Sequence, residues 1–199
     1  MNDEISKSLR GIKVERLYRI LLSTQKNKLT WYRIAKLGDV SYGWAHRILK
    51  NLQEKGIIEG GTVRKPHELF EIWSGRHTPG LYREYHIQMP KKVLENANMK
   101  YALTTYFAEQ LMGNYLFPRK FDLYVLLEDA HDWHIYMAEN GYVGKGNVRI
   151  ILGDEHVFWD GKTIENWPTV SIQQLIVDLL REGAECNEAA EILISRYYE

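Results

Sequence analysis

Apolar residues in the first quarter of the chain recur at the spacing of amphipathic helices. In VERLYRILLS, Val14, Leu17 and Leu21 fall on one helical face. In the next segment, LTWYRIAKLGDV, Thr30 is a suitable N-cap residue and Gly38 a suitable stop. The pattern therefore predicts two successive helices.

A third helix is predicted to begin after Ser41 and to end at Gly56. Its apolar stripe repeats at spacings of three and four residues and consists of Ala45, Ile48, Leu49 and Leu52. Two very short strands follow, Ile57 to Glu59 and Thr62 to Arg64, joined by a glycine pair. A fourth helix is predicted in KPHELFEIWSG, because Pro66 suits a first helical position.

The second half of the chain alternates between strand and helix patterns. FDLYVLLE, NVRIILG and EHVFW are predicted to be strands, and YALTTYFAEQLMG and AHDWHIYMAENG to be helices. SIQQLIVDLLREG is the clearest helix, with Ser171 and Gln174 as a capping box, and a last helix is predicted from Asn187. Residues 76–90 are rich in glycine and proline, which indicates a linker or a connecting strand over Leu81 to Ile87.

These elements predict an α+β protein with two domains. Residues 1–75 have the order of a winged helix-turn-helix domain, with the short turn GDVS between the second and third helices. Residues 91–199 are predicted to form a mixed α/β C-terminal domain. Because the third helix of a helix-turn-helix lies in the major groove, double-stranded DNA is the expected partner.

The outward side of the third helix carries the residues that a duplex would meet. With Ala45 at the centre of the buried side, a rotation of about 100° per residue directs Gly43, Arg47 and Lys50 away from the core. His46 lies on the flank. Arg47 is expected to contact guanine or a phosphate, and Lys50 a phosphate.

The expected DNA-contacting residues come from the second helix, the third helix and the wing. They are Thr30, Tyr32, Arg33, Ser41, Tyr42, Gly43, Trp44, His46, Arg47, Lys50, Arg64 and Lys65. In the wing, Arg64 and Lys65 are expected to reach a neighbouring phosphate or the minor groove. Trp44 could equally well pack against the core of the domain or contact DNA. Basic residues on an exposed helix can also serve only to keep the protein soluble.

Charge is distributed unevenly along a chain whose formal net charge is zero. Met1 to Pro90 contains 16 lysine and arginine residues against nine acidic residues, whereas Lys91 to Glu199 contains ten against 17. This asymmetry indicates a polyanionic partner for the first half and another task for the second.

Other features restrict the class of protein. No apolar run is long enough to span a membrane and no signal sequence opens the chain, so we expect a cytoplasmic protein without a membrane partner. The single Cys186 excludes a disulfide framework. His131 and His134 lack further ligands at metal-binding spacing, and Asp122 lacks the second carboxylate that two-metal catalysis needs. We therefore expect no metal, no cofactor and no enzymatic activity.

The chain resembles the AbiEi-type antitoxins of type IV toxin–antitoxin (abortive infection) systems, particularly their transcription-regulator branch. The resemblance lies in LTWYRIAKLGDVSYGWAHRILKNLQEKGIIE, VRKPHELFEIW, YALTTYFAEQLMG and VSIQQLIVDLLREGAECNEAAEILI. It implies an N-terminal domain that represses its own operon, with Ser41 to Lys50 reading the operator and Arg64 and Lys65 in the wing. It also implies a C-terminal domain that helps to neutralise a nucleotidyltransferase-like toxin. Two copies on one operator, as a preformed homodimer or assembled on the DNA, are expected because regulators commonly bind two half-sites.

Two other interpretations remain open at the level of the sequence. The C-terminal half could sense a small molecule through aromatic residues such as Tyr124, Trp133 and Trp159. Alternatively, the chain could be a nucleic-acid-acting enzyme with an appended winged helix. A pocket with convergent carboxylates would favour the enzyme, and a shallow acidic surface would favour a protein partner.

Overall fold

The computed structural model describes residues 2–24, 29–76 and 82–198. Within these residues the chain is mixed α+β, with nine α-helices and nine strands, seven of which form one sheet. The chain divides into two compact units, Met1–Pro79 with Ile194–Glu199, and Gly80–Leu193. No helix in the described part of the chain combines the length and apolarity that crossing a membrane requires.

The first unit contains helices followed by a small hairpin and one more helix. The elements are α1 (Asn2–Ser23), α2 (Trp31–Leu37), α3 (Tyr42–Glu54), β1 (Ile58–Glu59), β2 (Thr62–Val63) and α4 (Pro66–Ser74). The two strands are antiparallel, with Ile58 opposite Val63 and Glu59 opposite Thr62. The predicted order of elements is confirmed, and the strands are shorter than predicted.

Burial in the first unit follows the helical periodicity closely. Its fully buried apolar side chains include Leu17, Leu21, Ile34, Ala45, Leu49, Phe70 and Trp73. The predicted stripe of α3 is wrong at Ile48, which is only partly buried because it lies at the edge of the packed face. Helix α3 also ends at Glu54, earlier than predicted, because the backbone turns at Lys55 and then enters a left-handed conformation at Gly56 (φ 67°).

The second unit is built around the seven-stranded sheet. Its strands are β3 (Tyr82–Ile87), β4 (Ala102–Thr104), β5 (Phe121–Leu126), β6 (Gly141–Val143), β7 (Val148–Gly153), β8 (Lys162–Ile164) and β9 (Trp167–Thr169). Its helices are α5 (Pro90–Glu95), α6 (Thr105–Met112), α7 (Ala130–Glu139) and α8 (Ile172–Glu182), with a short 3₁₀ helix over Glu155–Phe158. The last helix, α9 (Glu185–Tyr198), begins in this unit, and its residues from Ile194 belong to the first unit.

The sheet has the order β6-β3-β7-β5-β4-β9-β8. The central pair β5 and β7 is parallel, as is β4 with β9, and the other pairs are antiparallel. All six residues of β5 are buried, which explains why FDLYVLLE is apolar from Leu123 to Leu127 without alternation, with Asp122 as the buried exception. The register places Asp122 of β5 beside Arg149 of β7.

Several sequence-based boundaries in this unit need correction. YALTTYFAEQLMG is a strand followed by a helix, because the backbone turns at Thr105, whose φ is 48°. EHVFW contains a 3₁₀ helix and not a strand, and the last helix begins at Glu185. The segment 76–90 contains the sheet strand β3 and the start of α5, while residues 77–81 lie outside the described residues.

The buried face of α3 allows a paired test of the packing. We expect Leu49→Ala to lower the free energy of unfolding by about 2–5 kcal/mol, because a fully buried aliphatic side chain is removed. Ile48→Ala should cost clearly less, since Ile48 already contacts solvent. Denaturant unfolding of the full chain measures both values. Equal losses at the two positions would contradict this packing.

Candidate nucleic-acid interface

The turn between α2 and α3 is fixed by local hydrogen bonds and by α1. The Oγ1 atom of Thr30 accepts a hydrogen bond from the Arg33 amide (3.2 Å) and so caps α2. Arg16 of α1 donates to the Gly38 carbonyl (3.3 Å) and lies 3.4 Å from the Asp39 carboxylate. Ser41 occupies the N-cap position of α3 without a side-chain cap bond, so its hydroxyl is exposed and not engaged at the cap.

The outer side of α3 has the composition that the helical wheel predicts. Arg47 is exposed, and a Cβ atom added to Gly43 would meet no heavy atom within 4 Å. Lys50 is exposed and lies 3.8 Å from Glu54 one turn later, a solvated pair that holds it weakly. His46 and Trp44 are partly buried on the two flanks. The centre of this surface is therefore open backbone next to a guanidinium group.

Three cations on α2 and α3 are unpaired within the described residues: Arg33, Lys36 and Arg47. All three are exposed. Lys36 was not among the residues predicted from the sequence, although its spacing of three from Arg33 places both on the same side of α2. These side chains form no ion pair among the described residues, so they contribute positive charge to this surface.

The basic residues at the β1–β2 hairpin have acidic partners instead. Arg64 donates two hydrogen bonds to one carboxylate oxygen of Glu59 (2.9 and 2.5 Å), and Lys65 lies 2.7 Å from Glu68. The structure therefore brings Arg64 and Lys65 close to the hairpin as predicted, but pairs their charges. To bind a polyanion, Arg64 and Lys65 would have to exchange these carboxylate partners for groups of the polyanion.

The hairpin turn is anchored to the helices. The Trp31 indole N–H donates to the Gly60 carbonyl (2.5 Å), and the Gly60 amide donates to the Gln53 side chain (3.0 Å). A Cβ atom at Gly61 would overlap the Leu29 carbonyl oxygen, so only glycine fits there. The hairpin is consequently held at a fixed place beside α2 and α3.

Aromatic rings cover the side of α3 that faces α2. Tyr32 is 65% exposed and Tyr42 is 47% exposed, and their ring centroids lie 6.2 Å apart. His46 lies 5.8 Å from Tyr42 and 5.1 Å from Trp31. We call these four residues the aromatic cluster. Sequence reasoning selected three of them but missed Trp31, whose contact with His46 depends on how α2 packs on α3.

A shallow, open depression of about 430 Å³ lies next to the aromatic cluster. It is lined by Lys13, Tyr32, Ala35, Lys36, Asp39, Val40, Ser41 and Tyr42. Two lysines at its rim extend the positive charge from α2 toward α1. Its openness suits a large partner better than an enclosed small molecule.

The second unit contains a buried ionic network on the sheet. The Asp122 side chain is fully buried, and Arg149 donates two hydrogen bonds to it (3.1 and 2.7 Å) and one to Glu182 (2.7 Å). The Thr105 hydroxyl also donates to Asp122. Burial raises the pKa of Asp122 and is opposed by Arg149. Each oxygen of Asp122 thus has a donor, which suits a structural ion pair.

A second buried carboxylate lies on α8 and has mostly neutral partners. Asp178 accepts hydrogen bonds from Thr104 (2.7 Å), Tyr124 (3.0 Å) and Gln174 (2.8 Å). Burial raises its pKa. The Ser171 hydroxyl accepts a hydrogen bond from the Gln174 amide, which confirms the N-cap of α8 predicted from the sequence, and the Gln174 side-chain NH2 group donates inside the network.

The remaining candidate chemical groups are separated. His134 lies 3.0 Å from the Tyr85 hydroxyl, while His131 is exposed. Burial raises the pKa of the Cys186 thiol to about 11, so it stays protonated at neutral pH and is a poor nucleophile. Among the described residues, no three histidine, cysteine or acidic side chains are grouped to hold a metal ion.

Comparison of the chain with known protein families, with curated proteins and with solved structures finds no match. The interface and the networks described above therefore rest on the geometry of this chain alone.

The ionic network predicts a pH-dependent loss of stability in one variant. Arg149→Met should lower the free energy of unfolding at pH 7 by about 3–5 kcal/mol, because it leaves the buried Asp122 carboxylate without its cation. The pKa of Asp122 should then rise further. A carboxyl group whose pKa is higher in the folded than in the unfolded protein stabilises the fold when the pH is below its unfolded-state pKa. This contribution is lost as the pH rises through its folded-state pKa. The deficit against wild type should therefore shrink as pH falls from 7 toward about 5.

Denaturant unfolding at several pH values measures this deficit. Arg119→Met is the matched control, because Arg119 is 71% exposed and its pair with Glu185 should contribute only about 0–1 kcal/mol. Adding Asp122→Asn to Arg149→Met should flatten the pH dependence of the deficit. A deficit that stays constant with pH would show that Asp122 is not the group responsible.

Proposed function

We propose that the first unit is a winged helix-turn-helix that binds double-stranded DNA, with α3 in the major groove and β1–β2 as the wing. The observation that supports this most is the outer side of α3, where the open backbone at Gly43 adjoins the unpaired Arg47. The order of elements and the tight α2–α3 turn agree with this use of the fold. The chain would act as a transcriptional regulator.

The proposal assigns different tasks to the basic residues. Arg47 reads a base edge, because it projects from the centre of the outer face where a helix approaches the groove floor. Arg33 and Lys36 on α2, with Lys50 one turn beyond Arg47, bind phosphates and position the helix. The wing contributes less than its composition indicates, because Arg64 and Lys65 already have carboxylate partners.

For the whole chain we propose an autorepressor of the AbiEi antitoxin type. The resemblance in sequence supports it, together with the acidic balance of residues 91–199, which suits a protein partner such as a nucleotidyltransferase-like toxin. The buried networks of the second unit are satisfied internally, which favours a binding role over catalysis. Two copies on one operator would follow from the small surface that one α3 and one wing offer.

The first test is the salt dependence of binding. If about four phosphates are neutralised, raising the salt concentration from roughly 50 to 200 mM should weaken binding of the full chain to duplex DNA about a hundredfold. Fluorescence anisotropy with a labelled duplex measures this. Binding that does not change with salt, or no binding at low salt, would contradict the proposal.

A second test separates base reading from phosphate binding. Arg47→Ala should cost about 1–3 kcal/mol on the preferred site and relax the preference at one base pair. Lys50→Ala should weaken binding to preferred and scrambled duplexes alike and reduce the salt slope by about one.

Lys55→Ala is the matched control, because Lys55 is exposed at the C-terminal end of α3, away from the outer face. It should bind as the wild type does. A thermal melt of each variant verifies folding. If Arg47→Ala retains wild-type affinity and preference on every duplex, α3 does not read bases in the way proposed here.

A further inference from the structure

The aromatic cluster has an exposed part that packing of the first unit does not explain. Tyr32 and Tyr42 leave 65% and 47% of their surface in water, although each could be replaced by a polar residue without opening the core. Large exposed apolar surfaces of this kind mark contact sites more often than chance. Arg33 directly follows Tyr32 on α2 and Arg47 lies five residues after Tyr42 on α3, and both are unpaired within the described residues.

The position of Tyr42 limits what it can meet in a bound duplex. It is the first residue of α3, and the N-terminal residues of a recognition helix lie nearest the base edges. His46, one turn later, supports its ring from the side at 5.8 Å. The pair therefore lies at the N-terminal end of α3, on the side that faces α2, and its ring contacts restrict its movement.

The spacing of the rings argues against insertion of an unpaired base. Tyr32 and Tyr42 are tilted by 52° with centroids 6.2 Å apart, within the contact range of about 4.5–7 Å for an aromatic pair. No parallel gap is left between them. What the pair offers is an apolar surface at the edge of a cationic one, and in the major groove the apolar feature of a base pair is the C5 methyl group of thymine.

We propose that Tyr42, supported by Tyr32 and His46, is a specificity-determining residue that contacts the C5 methyl group of a thymine next to the base pair read by Arg47. The inference rests on the proposed function, since it requires α3 to lie in the major groove. It adds a preference for thymine that the charged residues cannot supply.

The test uses the full chain and a duplex selected from a random pool. Each thymine of that duplex is replaced in turn by deoxyuridine, which removes only the methyl group, and dissociation constants are measured for wild type, Tyr42→Phe and Tyr42→Ser. Wild type should lose about threefold to fivefold in affinity at one position, the factor expected for burial of one methyl group. Tyr42→Phe should show the same loss, and Tyr42→Ser should bind both duplexes alike.

Tyr142→Ser is the matched control, because Tyr142 is 79% exposed on β6 of the second unit and should keep the wild-type discrimination. The inference alone would be overturned by a selected site without thymine opposite α3, or by an unchanged dissociation constant when each thymine is replaced by deoxyuridine. It would also be overturned if Tyr42→Ser still distinguished thymine from deoxyuridine. The same holds if Tyr42→Phe no longer distinguished them, which would indicate a contact through the tyrosine hydroxyl. Equal or tighter binding of the corresponding single strand would also overturn it. If no duplex binds at any salt concentration, the proposed function itself fails.

Discussion

Burial of one side of α3 determines what the first unit presents to solvent. Ala45, Leu49 and Leu52 are at most 2% exposed, so the helix cannot rotate without exposing its apolar stripe. Because a helix repeats every 3.6 residues, the opposite side is then fixed as Gly43, Arg47 and Lys50. Burial of the apolar side of α3 thus decides which polar residues face solvent on the opposite side. The proposed recognition of DNA depends on that placement.

Ion pairs decide which basic side chains of this surface remain available to a partner, and the amino-acid composition does not show this. The hairpin segment has basic residues, but Glu59 and Glu68 hold them in ion pairs, whereas Arg33, Lys36 and Arg47 form no ion pair among the described residues. An unpaired surface cation attracts phosphate without first breaking a contact. The strongest positive field is therefore expected at α2 and α3, next to the aromatic cluster, and the anchored hairpin mainly braces the helices.

The second unit uses buried charge differently. Arg149 joins Asp122 on the neighbouring strand to Glu182 on α8, and Asp178 binds Thr104, Tyr124 and Gln174. Burying such groups costs solvation energy, which their hydrogen bonds offset only when the geometry is right. A network of this kind favours one register of the sheet and one placement of α8 over alternatives. It accounts for the polar residues in otherwise apolar segments without assigning them a reaction.

The sequence by itself determined the helices of the first unit, the hairpin, the buried strand β5 and the outward residues of α3, because periodicity and caps act over a few residues. It failed where distant groups decide the outcome. The partial burial of Ile48, the strand within ALTT before α6 and the 3₁₀ helix at Glu155–Phe158 all depend on packing or hydrogen bonds across the fold. The contact of Trp31 with His46 was likewise decided only by the tertiary structure, because the packing of α2 on α3 brings the two rings together. The ion pairs of the hairpin join residues only three and five positions apart, but the conformation of the chain there decides which carboxylate each cation meets.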